Sequence, residues 1–175
     1  MSTTTEIAQA STSEQILDTR RSTRRWLALA VLALTALLLS LDVSVLYLAL
    51  PALSADLGAS TTQQLWMLDI YSFVLAGFLV TMGAVGDRVG RKRLLLIGAV
   101  AFGIASACAA YASSPGQLIF WRAVLGVAGA TLMPSTMGLI RSIFTDEKSM
   151  MTAIGIWFSC FMGGMAIGPL VGGRR

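Results

Sequence analysis

The chain has 175 residues, of which 55% are hydrophobic and only 13% are charged, about half the charged share of roughly 25% found in soluble domains. A soluble fold of this composition would expose large apolar patches. The net charge of +4 comes from basic residues at the ends of apolar runs and not on a folded basic face, so it argues against nucleic-acid binding. With no histidine and two cysteines, Cys108 and Cys160, each inside an apolar run, a zinc site is not expected.

Residues 1–25 are polar, rich in Ser and Thr, and end in Arg20, Arg21, Arg24 and Arg25. No apolar core lies within these 25 residues, so the segment does not read as an ordinary signal peptide. The segment reads as a disordered tail with a basic stop at the membrane surface.

Five apolar spans follow, at about 26–50, 65–86, 94–111, 117–140 and 150–173. Each has roughly 18–25 residues, enough at about 1.5 Å per residue to cross a hydrocarbon core of about 30 Å. Lipid offers backbone groups no outside partner, so the expected fold is an all-α, polytopic helical membrane protein. The tail, the segment around 87–93 (Arg88, Arg91, Lys92, Arg93) and the segment 141–149 (Arg141, Lys148) carry ten basic residues, whereas the intervening loops 51–64 and 113–116 carry none. This asymmetry places the N-terminus in the cytoplasm. Pro51 and the Ser113-Ser114-Pro115-Gly116 turn are expected to close the outer ends. Arg174 and Arg175 would then lie outside, against the charge rule, and the chain ends with the fifth helix. It therefore reads as the N-terminal part of a longer protein, lacking C-terminal helices. The alternative is a membrane fragment with no transport activity of its own.

The densest motif is Gly83-x-x-x-Asp87-Arg88-x-Gly90-Arg91-Lys92-Arg93. Gly83 and Gly86 suit close helix packing, Asp87 can accept hydrogen bonds, and the four basic residues can pair with carboxylates or anionic lipid heads. The cluster is expected to be a cytoplasmic gating loop. The plainer alternative is that its charges only set topology. Three residues separate Gly86 from Gly90 and no Gly-Lys-Ser/Thr follows, so a nucleotide-binding P-loop is not expected.

In letters and position this motif resembles the signature between helices two and three of the major facilitator superfamily. Leu41-Asp42-Val43-Ser44-Val45-Leu46-Tyr47-Leu48-Ala49-Leu50-Pro51 resembles the first-helix motif of its fourteen-helix drug:proton antiporters. The run from Arg122 through Gly126 to Gly129 is similar to their fourth-helix motif. Gly164, Gly168, Pro169, Gly172 and Gly173 match their fifth-helix antiporter motif. Gln64-Leu65-Trp66 followed by Asp69-Ile70-Tyr71-Ser72 is similar to the quaternary-ammonium efflux branch. The resemblance covers about residues 26–173. It implies a non-enzymatic transporter of a bacterial inner membrane that exports lipophilic or quaternary-ammonium cations against protons. Its driving force would be the proton gradient, with no cofactor.

The same residues have a physical reading. A carboxylate within a membrane helix costs about 2.5–3.5 kcal/mol on insertion scales, so it faces a cavity or a partner. Desolvation favours its neutral form and a nearby cation its charged form, and a group held between the two is suited to exchange a proton for a cation. Asp42, roughly 12 Å below the outer end of its span, is the expected principal proton or cation carboxylate. Asp69, roughly 6 Å below the surface, is the expected secondary cation contact. Arg122 is expected to tune the proton site. The competing readings are helix packing for Asp42, interfacial solvation for Asp69 and snorkelling for Arg122. Gly164, Gly168 and Gly172 recur on one helix face, and Pro169 deprives the Met165 carbonyl of its donor, so a tight, bent seam is expected there. Met67, Tyr71, Phe73, Phe78, Met133, Met137, Trp157 and Phe161 are candidate linings for an adaptable pocket, with lipid contact or core packing the commoner fate of each; none is assigned as a ligand.

Overall fold

The computed structural model describes the backbone of residues 2–172 and the side chains of residues 22–167. The chain forms five helices: α1 (Ser2–Asp56), α2 (Thr61–Val89), α3 (Arg91–Ala110), α4 (Pro115–Ile143) and α5 (Glu147–Gly172). All five are long and apolar enough to cross a membrane. Gly173, Arg174 and Arg175 lie outside the described residues.

Short polar caps set the helix starts. Ser60 and Gln63 form a reciprocal capping box at α2, with the Gln63 amide donating to Ser60 Oγ at 3.3 Å and the Ser60 amide to Gln63 Oε1 at 3.0 Å. Ser114 caps α4 through the Gln117 amide, and Pro115 occupies the first turn, where its missing N–H goes unneeded. Asp146 accepts from the Ser149 amide at the start of α5.

The helices run beyond the apolar spans in three places. α1 extends back to Ser2, through a segment expected to be disordered. It also continues past Pro51 to Asp56, so Pro51 does not close the outer end. A proline removes one ladder bond, and the following Ala-Leu-Ser-Ala carries the helix on to a turn at Gly58, whose φ is +61°. The expected loop at 83–93 is also almost wholly helical. Its one break is Gly90, at φ +103°, with α2 ending at Val89 and α3 beginning at Arg91. Only glycine adopts that φ without strain. The charged residues are helix ends that protrude past the apolar zone, which is why their polarity resembles a loop.

α4 is the central helix. Within its most apolar stretch 61% of residues are buried, against 6% in that of α2 and 17% in that of α5. α2 and α3 pack on α4, α1 pairs mainly with α5, and α1 also reaches α4. Small residues make these contacts close. A Cβ placed on Gly126 of α4 would lie 2.8 Å from the Tyr71 carbonyl oxygen of α2, and one on Gly164 of α5 would lie 3.0 Å from the Leu37 carbonyl oxygen of α1 and press into Ser40. The core runs along Leu29, Ala36 and Leu39 of α1, Phe102 of α3, and Leu125, Leu132 and Ile140 of α4. Leu34, Leu38, Phe73, Val80, Ile97 and Val100 face outward, as expected of surfaces solvated by lipid.

Candidate functional site

Asp42 and Arg122, 80 positions apart, meet inside the bundle. Arg122 Nη1 donates to Asp42 Oδ2 at 2.6 Å. Their side chains are 4% (Arg122) and 16% (Asp42) exposed. Arg122 therefore does not snorkel. It enters α4 about 10 Å from the Pro115 end and spends its length reaching inward. Because α1 continues to Asp56, Asp42 sits about 21 Å from that helix end.

A third group joins the pair. The guanidinium carbon of Arg122 lies 4.7 Å from the centre of the Tyr71 ring, within cation–π range. Tyr71 is 5% exposed. Two glycines of α4 make room for it: Gly126 at its carbonyl, and Gly129, where a Cβ would lie 3.0 Å from the phenol oxygen. Arg122 Nε is buried and has no hydrogen-bond partner. The sequence placed Tyr71 only among possible apolar linings. The contact depends on how α2 meets α4, which no local signal reports.

A cavity of about 200 Å³ opens beside the pair. Asp42, Leu46, Ala49 and Leu53 of α1, Ser106 and Ala109 of α3, and Leu118 and Leu125 of α4 line it. It is apolar apart from the pair and one hydroxyl, which suits an organic cation or a few waters more than a polar solute.

Asp69 is not brought to this pair. It is exposed on α2 and lies with Thr62, Leu65, Trp66 and Phe73 along a shallow recess of about 160 Å³. The apolar candidates divide between core and surface: Met67 and Trp157 are buried, and Phe73 and Phe78 are exposed.

At the Gly90 end, Asp87 Oδ1 accepts from Arg91 Nε at 3.0 Å and Nη2 at 2.8 Å. The Arg91 side chain lies across Gly138 of α4, at the position a Cβ there would occupy. Gly86 is buried against Leu94, whereas Gly83 is in ordinary contact with Pro134. Arg88, Lys92 and Arg93 are exposed. A recess of about 70 Å³ separates Asp87 and Arg91 from Ser135, a buried hydroxyl without a partner.

On α5, the bond that Pro169 removes is replaced from another helix. Ser44 Oγ of α1 donates to the Met165 carbonyl at 3.1 Å. This is the carbonyl that a proline four residues later leaves without its helical donor. Ser44 is two residues from Asp42, so the ion pair and the seam share one stretch of α1. Gly168, Pro169 and Gly172 lie on the backbone of α5, and their side-chain surroundings fall outside the described residues. Among the described residues no cluster has metal-ligating composition.

The sequence profile of the Major Facilitator Superfamily matches residues 32–174. The chain belongs to the Major Facilitator Superfamily. It is 57% identical over 155 residues to the multidrug efflux pump LfrA of Mycolicibacterium smegmatis, which covers 89% of this chain and 31% of that protein. It is 44% identical over 150 residues to the methyl viologen resistance protein SmvA of Salmonella typhimurium, covering 86% of this chain and 30% of the relative. It is 38% identical to the puromycin resistance protein pur8 of Streptomyces alboniger, again over 150 residues, with 86% and 30% covered. The chain thus spans about a third of the length of these curated relatives. A polytopic helical membrane protein of a transporter superfamily is the identity that the motifs, the five helices and the profile share.

Proposed function

We propose that this chain forms five helices of a multidrug exporter in which outward movement of a lipophilic or quaternary-ammonium cation is driven by inward movement of a proton, without a cofactor or covalent step. The observation that carries the reading is the Asp42–Arg122 pair buried beside an apolar cavity. The named relatives support efflux, and methyl viologen, which SmvA's name cites, is itself a quaternary dication.

The charge arithmetic gives the coupling. With Asp42 ionised, the pair is neutral overall and its carboxylate can attract a cation into the cavity. With Asp42 protonated, the site carries the charge of Arg122 alone. A substrate cation about 5 Å away then meets a repulsion of about 3 kcal/mol at an effective dielectric constant of about 20, a weakening of roughly 100-fold. Proton and drug thereby exclude one another, as antiport requires. Asp69, flanked by Trp66 and Phe73, would serve as a secondary contact for incoming cations through charge and ring faces.

The basic-residue asymmetry supports a cytoplasmic Gly90 end and N-terminus, and the family resemblance supports a bacterial inner membrane. There Asp87 and Arg91 would act with Gly83, Arg88, Gly90, Lys92 and Arg93 as a gating contact against the remaining helices of the transporter. The α1–α5 seam at Gly164 would limit proton leak. Alternating access between two bundles would expose the Asp42 site to each side in turn.

The test is transport by proteoliposomes containing a full-length transporter with this chain, using a fluorescent quaternary-ammonium cation and an imposed pH gradient. Asp42→Asn should abolish gradient-driven export in a protein that is still expressed and can be reconstituted. Undiminished export by that variant would sink the assignment.

A further inference from the structure

Arg122 is 3% exposed and has one carboxylate partner. In the reading above, that partner becomes neutral in every cycle. A buried guanidinium without its counter-ion is costly, several kcal/mol after relaxation, so something must hold it while Asp42 carries the proton. The groups facing it can be named helix by helix. α1 presents Asp42, and α2 presents Tyr71. α3 lines the adjoining cavity with Ser106 and alanines, and α4 itself contributes Leu118 and Leu125. The Tyr71 ring face is a contact of the guanidinium that does not depend on Asp42.

The ring is also built into place. It is 5% exposed, and both Gly126 and Gly129 of α4 approach it so closely that a side chain at either would press on Tyr71. We infer that Tyr71 is a positioning residue of the proton cycle: its ring face holds the Arg122 guanidinium in place when Asp42 is protonated, so that the pair re-forms on proton release. This deepens the proposed proton site and rests on it. The ring, and not the phenol hydroxyl, is the acting part, because the guanidinium sits over the ring centroid. A ring that stabilises the cation in both states matters most where the carboxylate no longer does. Weakening it penalises the protonated state, and export should then need a higher external proton concentration.

The experiment measures cation export by the full-length transporter in proteoliposomes as a function of external pH. Tyr71→Phe keeps the ring and should leave the pH profile unchanged. Mono-, di- and trifluorinated phenylalanine at position 71 keep the shape and progressively remove the ring's negative face. The proton concentration for half-maximal export should rise stepwise along the series, by about 3- to 10-fold at the trifluoro step. Thermal stability should fall only slightly along the series and far less than in Tyr71→Ala, which separates positioning of the charge from packing. A flat fluorine series, or a full shift already in Tyr71→Phe, would overturn the inference. The two readings fail differently. Persistent gradient-driven export in Asp42→Asn removes the proton site itself. A transport-dead Asp42→Asn with a flat fluorine series removes only the role of Tyr71.

Discussion

Two acid–arginine pairs of the same chemistry stand at different places in this bundle. Asp87 and Arg91 are four residues apart around the Gly90 break, with side chains 60% and 40% exposed. Asp42 and Arg122 are 80 residues apart on two helices and almost enclosed. The first pair is geometrically richer, with two hydrogen bonds to one carboxylate oxygen, yet water screens it and a local turn supplies it. The second has one short bond, but its two charges are far less exposed, at 16% for Asp42 and 4% for Arg122. The contrast shows that bond count does not rank these sites; the cost of leaving a partner behind does. A pair that is expensive to separate can couple a protonation to the rest of the molecule, and a solvated pair can form and part with little penalty.

The sharpest way to break this contrast is to remove one partner of each pair. Asp42→Asn should cost about 3–5 kcal/mol of stability if Arg122 stays charged and in place, because an uncompensated charge is then left buried. Arg122→Gln in the same chain should restore most of that loss without restoring export. Thermal unfolding in detergent for both single variants and the double variant gives the coupling energy directly. A coupling below about 1 kcal/mol would mean that the buried pair behaves like a surface one. Next in size is Gly164→Ala at the α1–α5 seam, where the added methyl meets Ser40 and the Leu37 carbonyl. Overpacking of this kind costs about 1–3 kcal/mol. If the seam also blocks protons, the variant should collapse a pH gradient faster in the absence of drug. Ser44→Ala should be milder, about 1 kcal/mol, from one orphaned carbonyl at Met165. Ser44→Thr should rescue it by keeping the hydroxyl.

How much of this could be read beforehand follows from where each signal lies. The five helices were legible because apolar runs of membrane-spanning length have few other fates. Asp42 and Arg122 were legible as candidates, since a charge within such a run needs a reason. Their union was not, because nothing local reports a contact 80 residues away. The end of α1 was misplaced because Pro51 looked like a terminator, whereas the helix continues past it to Asp56. Pro169 named the orphaned Met165 carbonyl, but the donor that satisfies it comes from Ser44 on another helix. Tyr71 was hidden among apolar residues because an aromatic in such a helix is ordinary; only the guanidinium above it gives it a role.

The smallest expected effect bears most directly on the contrast. Asp87→Asn removes the charge of an exposed i,i+4 pair, so stability should change by no more than about 0.5 kcal/mol, and 1 M salt should shrink even that as the screening length falls to about 3 Å. A gating role makes a separate demand. Arg91 also lies across Gly138 of α4, so freeing it from Asp87 changes what α2 and α3 present at the Gly90 end to any bundle packed there. Export should then slow far more than stability falls, with substrate affinity little altered, because the defect lies in moving between conformations and not in holding the cation. Equal small losses in stability and rate would leave Asp87 and Arg91 as a solvated helix-end pair and assign the coupling chemistry to the buried pair alone.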